Sequence, residues 1–270
     1  MSYASIMVHV SPCEQAANRI TLAATLAERF AATLIGIAAR PANLVAFNDY
    51  GGLDDRVVKH ELRIAECQIA DARQLFGRAT EGRDRTEWRA TVGWTTPFMI
   101  EQARAADLLV VVNERDAALE DGQFGIDTGE LLLQAGRPLL IVPAAAKALN
   151  APRAVIAWKN TREARRALRD SLPLLRQAEV EVVGVAEAYD DPGLADVCSY
   201  LRRHQITARP HLCEANDDDA WGRILHVATD HEAGLIIAGG YGHGRLSERL
   251  FGGVTRELLK NWSGSCLLAH

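Results

Sequence analysis

Residues 235–255 read Leu235-Ile236-Ile237-Ala238-Gly239-Gly240-Tyr241-Gly242-His243-Gly244-Arg245-Leu246-Ser247-Glu248-Arg249-Leu250-Phe251-Gly252-Gly253-Val254-Thr255. An apolar run that suits a strand buried on both faces stops in glycines. A second glycine pair then opens a helical pattern. That arrangement can place backbone N–H groups around an anion at a helix N-terminus, where the helix dipole also favours negative charge. Gly240-x-Gly242-x-Gly244 does not have the G-x-G-x-x-G spacing and follows a fourth strand, not a first. A dinucleotide fingerprint is therefore not expected, and no G-x4-G-K-[ST] loop is present.

Outward from this stretch, residues 254–261 predict a helix and 265–269 a last strand. Upstream, 154–158, 180–186 and 206–212 read as strands. Helical patterns cover 161–178, 193–204 and 217–231, with Pro173 expected to kink the first. The same order stands earlier in the chain. Strands are expected at 6–10, 33–38, 86–92, 107–112 and 137–142, with helices at 11–30, 54–76, 96–106 and 128–135. Ser11, Pro12 and Glu14 suggest an N-cap, N1 and N3 at the first helix. Gly136 fits a C′ position. Residues 143–152 suit a linker. Strand–helix alternation in two copies predicts parallel sheets with helices on both faces. Ligands of such sheets bind beyond the carboxyl ends of the strands, where the strand order reverses.

Composition narrows the function classes. The 270 residues carry a net charge of -5, with 48% hydrophobic and 24% charged residues. Mild acidity argues against nonspecific binding to nucleic acid or anionic membrane. No apolar run reaches the roughly 18 residues of a membrane span, and the N-terminus lacks a signal-peptide pattern. Five cysteines without a C-x-x-C fit free, mostly buried thiols and a cytoplasmic location. Neither His226 with His231 nor His211 with Cys213 has convincing metal-ligand spacing. No catalytic triad can be assigned.

The spacing Gly239-x2-Gly242-x9-Gly252 resembles the nucleotide-binding signature of the universal stress protein family, G-x2-G-x9-G followed by Ser or Thr. The restart at Ala157-Trp158-Lys159-Asn160-Thr161 looks like that family's first strand and loop. The resemblance covers essentially the whole chain. It implies an α/β fold of two tandem doubly wound parallel five-stranded sheets, like the adenine-nucleotide α-hydrolase group. The divisions are a degenerate repeat over 1–146 and a repeat with the glycine motif over 147–270. By the same resemblance, ATP with Mg²⁺ is the implied ligand. Ala157 and Trp158 would line the base pocket, with Lys159 beside them. Ala238, Gly239 and Gly242 would approach ribose and phosphates. Gly252 and Gly253 would offer amides to phosphate, with Val254 and Thr255 opening the helix behind them.

Three departures from the pattern stand in the sequence. Lys159 occupies the place where the family's binding members carry an Asp that reads adenine, and Gly253 the place of the Ser or Thr. The first half ends its fourth strand in Asn113-Glu114-Arg115-Asp116, with only Gly125 near the later glycine position. Two readings of function therefore remain open. One is a stress-response module holding an adenine nucleotide in its second half, at most a weak ATPase. The other is a nucleotide-free interaction protein whose repeats pack as an intramolecular pseudo-dimer and which pairs with partners or a second copy. A true nucleotide hydrolase is disfavoured by the lack of an assignable general base.

Overall fold

Alternating faces organise the strands. Ile6 and Val8 point into one apolar layer and Met7, between them, into the other; this period of two is what a strand buried on both sides requires. The computed structural model describes residues 2–43, 55–117, 122–186, 193–214, 219–240 and 253–270. The first half contains β1 (Ser5–His9), α1 (Glu14–Phe30), β2 (Thr33–Arg40), α2 (Asp55–Ala79), β3 (Thr86–Val92), α3 (Thr95–Gln102), β4 (Leu108–Val112), α4 (Glu114–Ala117), α5 (Thr128–Gln134) and β5 (Leu139–Val142). The second contains β6 (Arg153–Trp158), α6 (Arg162–Leu175), β7 (Glu179–Ala186), α7 (Leu194–Arg203), β8 (Ala208–Glu214), α8 (Ala220–Asp230), β9 (Leu235–Gly239), α9 (Gly253–Asn261) and β10 (Ser265–Ala269).

The strands run β3-β2-β1-β4-β5-β10-β9-β6-β7-β8 in one ten-stranded sheet. Within each half all pairings are parallel, and the order reverses between the first and fourth strands. The two five-stranded parallel sheets join edge to edge: β5 and β10 pair antiparallel, Ile141 opposite Cys266 and Leu139 opposite Leu268, and fuse them. Every residue of both strands is buried. Left alone, each would be an apolar edge with unpaired N–H and C=O groups; pairing removes both edges at once. The apolar layers continue across the seam, one of them holding Ile6, Leu140, Leu267 and Ile156 together.

Several helix boundaries follow their caps. Asp127 Oδ1 accepts the Glu130 N–H at 2.8 Å to open α5, and Gly136 at φ 60° leaves it in the left-handed region. Thr161 Oγ1 accepts the Ala164 N–H at 3.2 Å to open α6. α6 runs two residues beyond Pro173, which sits in its last turn. The first helix departs from expectation. Its N-cap is Cys13, without a side-chain cap bond, and Glu14 is its first residue. Ser11 is instead fully buried, its Oγ 3.3 Å from Cys13 Sγ. Burial at the end of β1 has taken the hydroxyl away from the helix end. The final strand of the third pair also shifts, to Ala208–Glu214. Asp219 is the N-cap residue of α8, while Asp217 and Asp218 lie outside the described residues.

All five cysteines are free thiols. Cys198 and Cys266 are buried as expected, Cys13 and Cys213 half-buried, and Cys67 exposed on α2. Among the described residues no helix is long and apolar enough to cross a membrane.

Candidate functional site

β6 and β9 are neighbours, Ala157 opposite Ala238, and their carboxyl ends meet where the strand order of the second half reverses. A cavity of about 270 Å³ opens there. Its floor is Ala157, Trp158, Ala238 and Gly239; Lys159 and Thr161 stand on one side, and Gly253, Val254 and Thr255 at the start of α9 on the other. Eight of the ten residues singled out from the sequence thus line one cavity. Gly242 and Gly252 lie outside the described residues. Val185 at the end of β7, Ala164 on α6, and Ala220 and Ile224 on α8 complete the wall and were missed. The signal for Val185 was available, because it ends the strand next to β6; α8 is apolar on a face whose direction only the packing fixes.

The lining has two characters. Ala157, Ala164, Val185, Ala220, Ile224 and Ala238 form an apolar slot suited to a flat ring. The rim is polar, with the exposed Lys159 and the first turns of α6 and α9. Trp158 is 7% exposed and belongs to the core layer. Glu163, also buried, takes Nε and Nη2 of Arg162 at 3.0 and 2.9 Å. Burial pushes its carboxyl up, but its backbone amide, Arg162 and Thr161 together hold it below the usual carboxylate range.

The glycines divide by role. A Cβ on Gly239 would fall 2.5 Å from the Ala164 nitrogen, so Gly239 permits strand β9 to touch the start of α6. A Cβ on Gly240 would meet Leu132 of α5 at 2.6 Å, a contact from the other half. Gly240 is further fixed by its N–H to Ala269 O at 2.8 Å, and its carbonyl lies 3.0 Å from His270 Nδ1. At Gly253 a Cβ would meet none of the described residues within 4 Å. Thr255 is buried, and its hydroxyl donates to Gly239 O at 3.4 Å, tying α9 to β9.

The first half carries different residues at the matching place. Strand register puts His9 where the second half has Ala157, since Ile6 pairs with Leu108 as Ala154 pairs with Leu235. His9 is 1% exposed; the fully buried Arg19 donates from Nε to His9 O at 2.9 Å, with Nη2 3.4 Å from His9 Nδ1. Asn113 follows β4 where Gly240 follows β9, and its Oδ1 accepts the Asp116 N–H at 2.8 Å to start α4. Phe124 is fully buried in the layer that holds Val10 and Ala38. His9 and Asn113 thus stand in the first half where the second has Ala157 and Gly240.

Among the described residues no group of three His, Cys, Asp or Glu side chains could hold a metal ion. No family model and no curated protein matches the chain. Solved structures do. A universal stress protein from Archaeoglobus fulgidus DSM 4304 superposes with a TM-score of 0.69 at 13% identity, over 98% of this chain and 95% of that one. The chain has the universal stress protein fold. A functionally unknown protein from Pseudomonas aeruginosa PAO1 gives 0.60 at 18% identity, over 99% and 92% of the two chains. A candidate universal stress protein from Pseudomonas aeruginosa UCBPP-PA14 gives 0.59 at 18%, over 99% and 93%. Coverage near completeness on both sides extends the likeness to both halves.

Proposed function

We propose that the chain is a tandem universal stress protein, with repeats over 1–146 and 147–270, and that the second repeat binds an adenine nucleotide as its magnesium complex. The reading is carried by one observation: an open cavity at the carboxyl ends of β6 and β9, with the start of α9 on its rim. The apolar slot suits a purine. The N-terminus of α9, with Gly253 first, suits phosphate through its free N–H groups and dipole. Mg²⁺ would arrive with the phosphates. The role is binding in a cytoplasmic stress response, with hydrolysis slow at most.

A second reading is favoured by Lys159. An ammonium on the rim donates only and cannot accept from an adenine amino group. Under this reading the protein holds no nucleotide and acts through its surfaces, the halves paired as a pseudo-dimer and two copies associating.

Calorimetric titration with Mg-ATP separates the readings. Gly253→Trp should fill the cavity without a backbone clash, because a Cβ there has open space. Binding by the wild type and its loss in Gly253→Trp supports the first reading. No heat up to about 1 mM, an affinity floor of about −4 kcal/mol, rejects it.

A further inference from the structure

The two halves enclose a second cavity, of about 460 Å³, beside α6. The first half contributes Tyr3, Asp107 and Arg137; α6 contributes Arg166, Arg169 and Asp170. It shares no lining residue with the cavity at Gly239. Three arginines thus line one cleft, Arg137 half-buried and Arg166 and Arg169 exposed. Among the described residues none of them forms an ion pair within 4 Å. Arg166 Nη1 donates to His270 O at 2.6 Å, which leaves its other N–H groups unused by that bond.

Two carboxylates share the cleft, so three guanidinium groups face two acids and the balance stays positive. Asp107 Oδ2 is committed to the N–H groups of Ala4 and Ser5, at 2.7 and 3.1 Å. Asp170 is half-buried. Burial raises its carboxyl above the usual range, while Arg169, Arg166 and Arg137 act on it in the opposite sense. Tyr3 is buried, and its hydroxyl donates to the Asp170 backbone carbonyl at 2.6 Å, which fixes the wall between the halves.

We propose that the cleft of Arg137, Arg166 and Arg169 binds a small anion of the phosphate class bearing more than one charge. Like charges held together repel, and an anion between them removes that repulsion. Guanidinium forks match phosphate oxygens two at a time, with more directional grip than ammonium groups. The volume admits pyrophosphate or a larger phosphate ester, and clefts between domains are common ligand sites. Because the arginines come from both halves, bound anion would also bridge them.

The test is calorimetric titration of the full chain with sodium pyrophosphate at about 50 mM salt, where exposed charges are weakly screened. Arg137→Ala with Arg169→Ala should weaken binding at least tenfold, with an unchanged melting temperature. Arg137→Lys with Arg169→Lys should recover part of the loss. The arginine-dependent part of the binding should persist in Gly253→Trp, and this arm separates the cleft from the nucleotide cavity whatever becomes of ATP binding. Three results would each overturn the proposal: no binding by wild type at about 10 mM, equal binding by the double alanine variant, or no difference between Gly253→Trp alone and Gly253→Trp combined with the two alanines.

Discussion

Gly239 and Ala164 touch backbone to backbone. A Cβ on Gly239 would stand 2.5 Å from the Ala164 nitrogen and 3.0 Å from its Cα. The glycine before the candidate loop is therefore required by the joint between β9 and α6, whatever the loop binds. Gly253, across the same cavity, meets no such constraint among the described residues.

That contrast gives a stability prediction. Gly239→Ala must push α6 away from β9 and should cost about 1–3 kcal/mol, the range for overpacking a tight contact. Gly253→Ala should be neutral or slightly stabilising, because Ala is the better helix former and nothing opposes its methyl. Urea unfolding of both variants checks this; equal destabilisation would contradict the assigned contact.

Gly253→Ser restores a hydroxyl at the position where the resembling signature carries one. The side chain has room, and a hydrogen bond to a charged phosphate is worth about 1.5–3 kcal/mol. If the second repeat holds Mg-ATP, the variant should bind it about tenfold or more tighter. Calorimetry against the wild type measures the difference.

Lys159→Asp replaces a donor on the cavity rim by an acceptor. With an adenine in the slot, the substitution should raise the preference for ATP over inosine triphosphate, which lacks the exocyclic amine. Competition titration with the two nucleotides gives the ratio; an unchanged ratio would place the base away from Lys159.

Cys67 and Cys266 should differ sharply toward thiol reagents. Cys67 is exposed on α2, whereas Cys266 is buried in β10 and burial pushes its thiol up to about 12. The thiolate is the nucleophile, so Cys266 is both hidden and protonated near neutral pH. Mass spectrometry after brief alkylation should find Cys67 modified and Cys266 modified only after unfolding.

Asp170 contributes a pH dependence whose sign is fixed by its raised carboxyl. An acid whose folded pKa lies above its unfolded one binds protons more tightly when folded. Stability from this group is therefore greatest at low pH and declines as pH rises from near 3.8 through the raised folded value. Asp170→Asn should thus be more stable than wild type at neutral pH, with the advantage shrinking toward acid. Unfolding midpoints at several pH values check the trend.

The repeat and its strand positions were legible because strands buried on both faces leave long apolar runs, as in Leu108–Val112 and Leu235–Gly239. Caps such as Asp127 and Thr161 were local, and local chemistry reads directly. Ser11 was misread because its hydroxyl is buried beside Cys13, a tertiary circumstance that no pattern of capping residues contains.

The glycine spacing from Gly239 to Gly252, and the alanines and valines beside it, determined by themselves where a cavity could stand, since position at a strand's carboxyl end follows from order along the chain. What only the tertiary structure decided was what surrounds it. The fully buried Arg19 reaches back to His9 O, and Phe124 enters the layer that holds Val10 and Ala38, only through packing. The seam between β5 and β10, and the arginine cleft beside α6, likewise depend on two halves meeting. Such contacts join residues from opposite ends of the chain, and sequence periodicity carries no information about partners at that distance.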